Sequence, residues 1–348
     1  MTDTFTRGLI RYLVALRSLL LNKADLSSVV KLVTKCVAGL LALPFIAMAQ
    51  PYPNRPITVV VPYPPGGAVD PLARIFTVKL AEIWNVPIII ENRPGAGTMI
   101  GMGYVAKAVP DGYTVVMGTT SVGTNPAMYE KMPFDTLKDF TFLSQAGIFQ
   151  LALSVHPSIP VSTIAELIAY AKKNPGKLNY SSAGNGTIAH LAGEYFKSEA
   201  GFEATHVPYK GSSAAVTAVA SAEVSYTIDT VFTETPMIKA GLIKPLATIG
   251  PKRLESMPQL PTIAETFPGF TAFSWMGFMG PAGVPADIVK KWSTEITRIA
   301  EMPDVKEKLG NLGAEPVGGS AEQFEAFAKV ELNKWNKVVT DAKIEKVK

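Results

Sequence analysis

Cysteine is almost absent from this sequence. Cys36 is the only one among 348 residues, so the chain cannot form an internal disulfide. The three histidines, His156, His190 and His206, are far apart and form no HExxH motif. We therefore predict a protein without a metal or a cofactor.

Apolar runs long enough to span a bilayer are also lacking. The run at residues 36–49, CVAGLLALPFIAMA, falls short of the ~20 residues that a membrane helix needs. Lysines precede it, and it ends in Ala47-Met48-Ala49, a small-x-small cleavage pattern. The sequence therefore predicts a secretory signal peptide over residues 1–49, cleaved before Gln50, and a periplasmic protein. An uncleaved anchor is the alternative.

The excess of positive charge lies within the predicted signal peptide. Six of the 33 Lys and Arg residues and two of the 29 Asp and Glu residues precede Gln50, which leaves 27 of each sign. No basic surface remains that would attract nucleic acid or an anionic membrane, so we predict no nucleic-acid partner. The remaining chain is long enough for two compact units, and we expect a monomer.

A strand, a glycine turn and a helix start follow one another near the new N-terminus. The run Val59–Val61 predicts a buried strand, and the prolines with Gly66 and Gly67 predict a turn. Apolar residues at helical spacing after Asp70 predict a helix. Such a turn presents N–H groups at the positive end of a helix dipole, which suits an anion. The turn is no nucleotide loop, because it lacks GxGxxG and GxxxxGK[ST]. From these residues alone, an anion site and a plain connector are equally supported.

The same pattern continues through the first half of the chain. Residues 86–90 and 113–117 predict two more strands, with a helix at 99–108 between them. This β-α-β-α-β order is typical of a parallel, doubly wound sheet. Polar glycine loops follow the strands at residues 91–97 and 118–126. Because the carboxyl ends of parallel strands share one edge, we predict a binding crevice there.

A second unit of the same kind is predicted further on. A strand at 148–155 leads away from the first unit, and a strand, the glycine-rich loop 181–187 and a helix at 188–200 repeat the opening pattern. Asp229 ends another strand at the predicted crevice. Its carboxylate either accepts a hydrogen bond from a ligand or bonds to the adjacent loop.

Several long motifs occur in one order along the chain. They are RPITVVVPYPPGG…D (55–70), ENRPGAG (91–97), PDGYT (110–114), PGKLNYSSAGNGT…HLAGEYFKS (175–198), HVPYKGS (206–212) and LGAEPVGG (312–319). On these motifs the chain resembles the tripartite tricarboxylate transporter solute receptors, the Bug family of periplasmic binding proteins. One departure is Ile228-Asp229-Thr230, where family members often have Phe-Asp-Asn.

The resemblance implies the α/β fold of type II periplasmic binding proteins: two Rossmann-like lobes joined by two crossing strands. Lobe 1 would comprise residues 50–152 and 276–348, and lobe 2 residues 153–275. The lobes would close over a small carboxylate, namely a dicarboxylic acid, an aromatic carboxylic acid or an amino acid. Backbone N–H groups, bridging waters and hydroxyls would hold it rather than an arginine, and membrane permease subunits would be the partners.

The resemblance and the strand ends together define the predicted ligand-binding residues. They are Tyr63, Pro65, Gly66, Gly67, Ala68, Asp70, Thr119, Thr120, Ser121, Ser182, Ala183, Gly184, Asn185, Gly186, Thr187, Tyr209 and Asp229.

Within this set, particular roles are expected. Gly184 and Gly186 would offer N–H groups, while Ser182 and Thr187 would offer hydroxyls. The Asp70 carboxylate would cap its own helix while the N–H groups of its loop attract the ligand.

Other residues near the crevice are expected to be structural or solvated. His190 would be buried and bonded to neighbouring backbone, and His156 and His206 would also be structural. Lys210 would be solvated.

Two other functions fit an exported chain of this kind. One is a ligand sensor for a signalling partner, and the other is a hydrolase on the same scaffold. The sequence has no G-x-S-x-G elbow and no clustered acid–base pair, so we predict that the protein is not an enzyme.

Overall fold

The structure is a computed structural model that describes residues 52–250, 252–254 and 257–347. The predicted signal peptide lies outside the described residues. Within them, no helix has both the length and the apolar character needed to cross a membrane.

The strands and helices are numbered here in chain order. The strands are β1 (Ile57–Val61), β2 (Ile88–Asn92), β3 (Thr114–Thr119), β4 (Phe140–Val155), β5 (Asn179–Ser182), β6 (Thr205–Pro208), β7 (Tyr226–Thr230), β8 (Lys244–Ile249), β9 (Phe273–Pro281) and β10 (Ala314–Gly318). The helices are α1 (Val69–Trp84), α2 (Met99–Ala106), α3 (Ser121–Met128), α4 (Ile164–Lys173), α5 (Ile188–Ala200), α6 (Ser212–Ala220), α7 (Val231–Lys239), α8 (Ala286–Glu301), α9 (Pro303–Asn311) and α10 (Ala321–Asp341). Short 3₁₀ turns occur at Ala96–Thr98 and Ile263–Glu265.

The long strand β4 connects two groups of strands. In the first group, β1 pairs in parallel with β2 and β3, while β9 runs antiparallel to β3 and β4. In the second group, β5 pairs in parallel with β6 and β7, and β7 runs antiparallel to β4. The parallel order predicted for β1–β3 is confirmed.

The change of partners along β4 is abrupt. Gln150 is in register with Phe273 of β9, and the next residue, Leu151, is in register with Thr230 of β7. The chain therefore leaves the first group and re-enters it at the same place, which produces two lobes. We call the part built on β1–β3, β9 and β10 the first lobe, and the part built on β5–β8 the second lobe. The predicted two-lobe α/β fold is confirmed, while the boundaries at residues 152 and 276 stay a prediction.

Each lobe has its own aromatic core. In the first lobe, Trp292 packs edge-on against Trp84, with ring centroids 4.9 Å apart, and also contacts Phe278. In the second lobe, Tyr180 stacks on Tyr226 at 5.4 Å. Burial of such side chains is the main stabilising contribution, and it fixes the strand ends on which the site depends.

The prediction that residues 118–126 form a loop is wrong for most of that segment. Residues from Ser121 onwards form α3, even though Pro126 lies inside it. The helix is buried against α10, and a Cβ added at Gly123 would lie 3.3 Å from the backbone nitrogen of Leu332. Tertiary packing here overrides the low helix propensity of glycine and proline.

Candidate ligand-binding cleft

A cavity of about 210 Å³ lies where the helix starts of both lobes meet. Its walls include residues 67–69 at the start of α1, 119–121 at the start of α3 and 187–189 at the start of α5. Residues 211–214 at the start of α6 and 229–230 before α7 complete it. Because the sequence places a glycine or a small polar residue at each of these turns, backbone comes close to the cavity.

The second lobe provides backbone donors that have no protein acceptor. Among the described residues, the N–H groups of Ile188 and Ala189, and those of Ser212–Ala214, donate to no protein atom. Groups in the first turn of a helix cannot bond within it, and the helix dipole adds positive potential there. No arginine is found among the described lining residues, and the only lysine, Lys210, is exposed. This wall suits a carboxylate.

The first lobe provides neutral hydroxyl groups. The Tyr63 hydroxyl lies 3.1 Å from the Ser121 Oγ and 3.5 Å from the Thr119 Oγ1. Burial raises the pKa of Tyr63, so its hydroxyl keeps its proton. The Thr120 Oγ1 accepts from the N–H of Trp275 at 2.9 Å, which fixes its position. This wall can donate hydrogen bonds without adding charge.

The glycine-rich loop before α5 uses its own donors internally. The Gly184 N–H donates to the Ser182 Oγ at 3.2 Å, and the Gly186 N–H donates to the His190 Nδ1 at 3.3 Å. The Thr187 hydroxyl donates to the Gly184 carbonyl at 2.7 Å. In this structure the predicted donors are therefore occupied within the loop. The donors that face the cavity come from the next residues, at the start of α5.

The cavity brings together many of the predicted residues. Those that line it are Tyr63, Pro65, Gly67, Ala68, Thr119, Thr120, Ser121, Ala183, Thr187 and Asp229. Gly184 and Tyr209 instead line a neighbouring opening near residues 94–98, while Gly66, Asp70, Ser182, Asn185 and Gly186 line neither. That these residues contact a ligand stays a prediction.

The start of α6 is the main feature that the sequence-based list lacks. Ser212, Ser213 and Ala214 line the cavity directly after Gly211. The signal was present in HVPYKGS, because a glycine before a helical run marks a helix start with unpaired N–H groups.

Asp70 does not cap its helix, contrary to expectation. The helix begins at Val69, one residue before the acid, and the N-cap Ala68 has no side-chain hydrogen bond. The carboxylate instead pairs with Arg74 at 2.7 Å and accepts from the Asn92 Nδ2 at 3.1 Å. Asp70 therefore ties α1 to β2 and does not reach the cavity.

Contacts between the lobes close the cleft. The Thr124 hydroxyl donates to the Gly186 carbonyl, and the Tyr129 hydroxyl donates to the Asn185 carbonyl at 3.1 Å. At another point the Ser213 hydroxyl donates to the Gly66 carbonyl at 2.8 Å. These bonds join first-lobe and second-lobe groups, so the structure is a closed arrangement.

Two histidines support the second-lobe loop. The rings of His190 and His206 stack with centroids 4.0 Å apart, and the His206 Nε2 lies 2.7 Å from the Ser182 Oγ. Burial lowers the pKa of His190 to about 4 and that of His206 to about 3. Both rings are neutral near pH 7, and neither lines the cavity. Their position matches the expected structural role.

We expect this histidine pair to make the protein sensitive to acid. The unfolded chain takes up protons on its histidines near pH 6.5, whereas these two stay neutral in the folded state down to about pH 4. Stability should therefore fall as pH drops from 7 to 4. Differential scanning calorimetry should show the Tm falling by about 5 °C or more, with a smaller fall in His206→Gln. His156→Gln is the control, because the His156 ring bonds to nearby Ser158 and takes no part in the stacked pair. An equal fall in wild type and His206→Gln would contradict this explanation.

Comparison with known families identifies the chain. The sequence model described as "Tripartite tricarboxylate transporter family receptor" matches residues 72–344. The chain belongs to this family.

Three solved structures resemble this receptor, each over its full length. R. palustris Rpa4515 with adipate is 37% identical, with a TM-score of 0.82 over 85% of this chain and 100% of that one. The periplasmic binding protein BugD is 29% identical, with a TM-score of 0.80 over 85% and 100%. MatC (Rpa3494) from Rhodopseudomonas palustris with bound malate is 29% identical, with a TM-score of 0.79 over 83% and 100%.

Membership settles the broad class of the protein. The family consists of solute-binding receptors rather than enzymes, and its structural relatives are periplasmic binding proteins. The Bug-type resemblance read from the sequence motifs is thereby confirmed, and the receptor is a solute-binding protein.

Proposed function

We propose that this receptor captures a small organic carboxylate in the periplasm and delivers it to a membrane permease of the tripartite tricarboxylate type. The observation that carries the proposal is the set of N–H groups at the starts of α5 and α6 that have no acceptor among the described residues. These groups face one cavity, and its described lining residues include no arginine. Several N–H dipoles can hold a carboxylate without the desolvation cost of a buried guanidinium. Two of the related structures contain dicarboxylates, adipate and malate.

Closure of the two lobes supplies the mechanism. The ligand carboxylate binds the helix starts of the second lobe, and the rest of the ligand contacts the hydroxyl wall of Tyr63, Thr119 and Ser121. Only the closed arrangement offers both walls at once, so the ligand stabilises it by differential affinity. The interlobe hydrogen bonds from Thr124 and Tyr129 add to the closed state. The proposal includes the lobe boundaries at residues 152 and 276 and a monomeric receptor.

The proposal is tested on the protein beginning at Gln50, purified without refolding. We expect at least one of succinate, adipate, benzoate and glutamate to raise the Tm by about 4 °C or more at saturation. Small-angle scattering should show a smaller radius of gyration with the same compound. Adipamide, the neutral counterpart of adipate, is the control and should change neither value. If no carboxylate has an effect, or adipamide acts like adipate, the proposal is wrong.

Neither alternative function has a specific observation in its favour. A histidine base beside a cavity serine is lacking among the described residues, because His190 and His206 bond within the second lobe and do not line the cavity. A sensor would share the fold and the site. A pull-down of membrane partners with and without ligand separates sensing from transport.

A further inference from the structure

One cavity residue carries an unused hydrogen-bond acceptor. Asp229 lies near the end of β7, lines the cavity and is only 2% exposed. Its Oδ1 accepts from the Thr230 N–H at 2.7 Å, whereas its Oδ2 has no hydrogen-bond partner among the described residues. A buried acceptor without a partner is costly, so this oxygen is suited to a group that enters from the cavity.

Asp229 is the one acidic residue among the described residues that line the cavity. Behind it, the fully buried Glu234 accepts from the Asp229 N–H at 3.1 Å and bonds to the Ser154 hydroxyl. Burial raises the pKa of Glu234 well above its ordinary range, which favours the neutral form of that carboxyl. Tyr63 is neutral, and Lys210 is exposed at the rim. The adjacent elements β4 and α6 contain no titratable residue.

We infer that Asp229 is a specificity-determining residue that requires a hydrogen-bond donor on the ligand. A hydroxyl or ammonium group satisfies the Oδ2, whereas a second ionised carboxylate meets a like charge in a site shielded from water. The ligand class is therefore a hydroxy acid, an amino acid or a dicarboxylic acid with one proton retained. This inference rests on the proposed function, because it assumes that the cavity binds a carboxylate.

The ionisation of Asp229 should make the preference for a ligand with a hydrogen-bond donor depend on pH. Burial raises the pKa of Asp229 to about 6, although the hydrogen bonds from Thr230 and the nearby Ser212 hydroxyl oppose the rise. Above this pH the side chain accepts only, and below it the neutral carboxyl can donate to a carboxylate. Affinity for a dicarboxylate should therefore increase as pH falls from 7.5 to 5.5, while affinity for an amino or hydroxy acid should decrease.

Isothermal titration with ligands of matched length tests the inference. The first series is adipate, 6-hydroxyhexanoate and 6-aminohexanoate, in which the donor lies at the end opposite the carboxylate. The second series is glutarate and glutamate, in which the donor lies next to one carboxylate. At pH 7.5 we expect wild type to bind the best donor-bearing ligand at least tenfold more tightly than its dicarboxylate counterpart. Asp229→Asn, whose amide can donate to a carboxylate, should reduce that ratio at least tenfold and abolish its pH dependence. Asp287→Asn, at an exposed residue in the first turn of α8, is the matched control and should behave like wild type.

The possible failures are distinguishable. If wild type binds none of these ligands, the proposed function fails first. If ligands bind but wild type and Asp229→Asn show the same ratio of affinities for the donor-bearing ligand and its dicarboxylate counterpart, the role inferred for Asp229 is wrong. If Asp229→Asn does not fold by circular dichroism, the wild-type series decides, and a ratio that is constant between pH 5.5 and 7.5 overturns the inference.

Discussion

Replacing Gly97 with alanine is expected to weaken ligand binding at least tenfold without unfolding the protein. A Cβ at this position would lie 2.6 Å from the Asn185 carbonyl oxygen and 2.8 Å from the Tyr129 hydroxyl. Asn185 belongs to the second lobe and Gly97 to the first, so the overlap with the Asn185 backbone exists only when the lobes are closed. The Tyr129 hydroxyl is in the first lobe, but it is the end of a side chain that can shift. Because the ligand depends on the closed arrangement, its apparent affinity falls with the population of that arrangement.

A matched control separates closure from backbone strain. Gly97 has φ +59° and Gly176 has φ +75°, so alanine at either position meets the cost of the left-handed region. At Gly176 an added Cβ would have no heavy atom within 4 Å. Isothermal titration and small-angle scattering should show weak binding and an open form for Gly97→Ala, and normal behaviour for Gly176→Ala. Equal affinities in the two variants would mean that this closed arrangement is not the one that binds.

Replacing Ile188 with proline should remove one cavity donor and leave α5 in place. Ile188 is the first residue of the helix, where proline is well tolerated. Thr187 before it has φ −72° and ψ 159°, the extended conformation that a residue before proline prefers. A hydrogen bond to a charged group contributes about 1.5–3 kcal/mol, so we expect a tenfold to hundredfold loss of carboxylate affinity by isothermal titration.

Ile188→Ala provides the control for that variant. The Ile188 side chain is buried in the second-lobe core, so alanine lowers the Tm but keeps the N–H group. We expect its carboxylate affinity to stay near that of wild type. If the proline and alanine variants bind equally well, the start of α5 does not hold the carboxylate.

Local patterns in the sequence predicted most of the strands and several helices. The helix expected at residues 188–200 is found at Ile188–Ala200, because Thr187 caps its start and Gly201 ends it. Helix α3 is not evident from the sequence because Gly123 and Pro126 disfavour a helix locally, whereas packing against α10 stabilises it. Local sequence periodicity does not predict the contact between α3 and α10, because about 200 residues separate the two helices.

The sequence predicts the region of the cavity, but it does not show which N–H groups bond within the loop. The sequence places Gly184 and Gly186 beside a helix start, and nothing local shows that Ser182 and His190 bond to their N–H groups. Asp70 illustrates the same limit, since a shift of one residue in the helix start turns an expected cap into an ion pair with Arg74. Such choices depend on side-chain competition within the folded loop.

The continuity of β4 means that the receptor cannot be divided into two separately expressed halves. Its Phe140–Gln150 segment pairs with β9 and, at Gln145–Phe149, also with β10, and its Leu151–Val155 segment lies between β7 and β8. A cut at the lobe junction would deprive one half of an interior strand and expose its hydrogen-bonding edges to aggregation. Opening and closing of the cleft therefore involves twisting of the continuous strand β4 and of the segment that returns into β9.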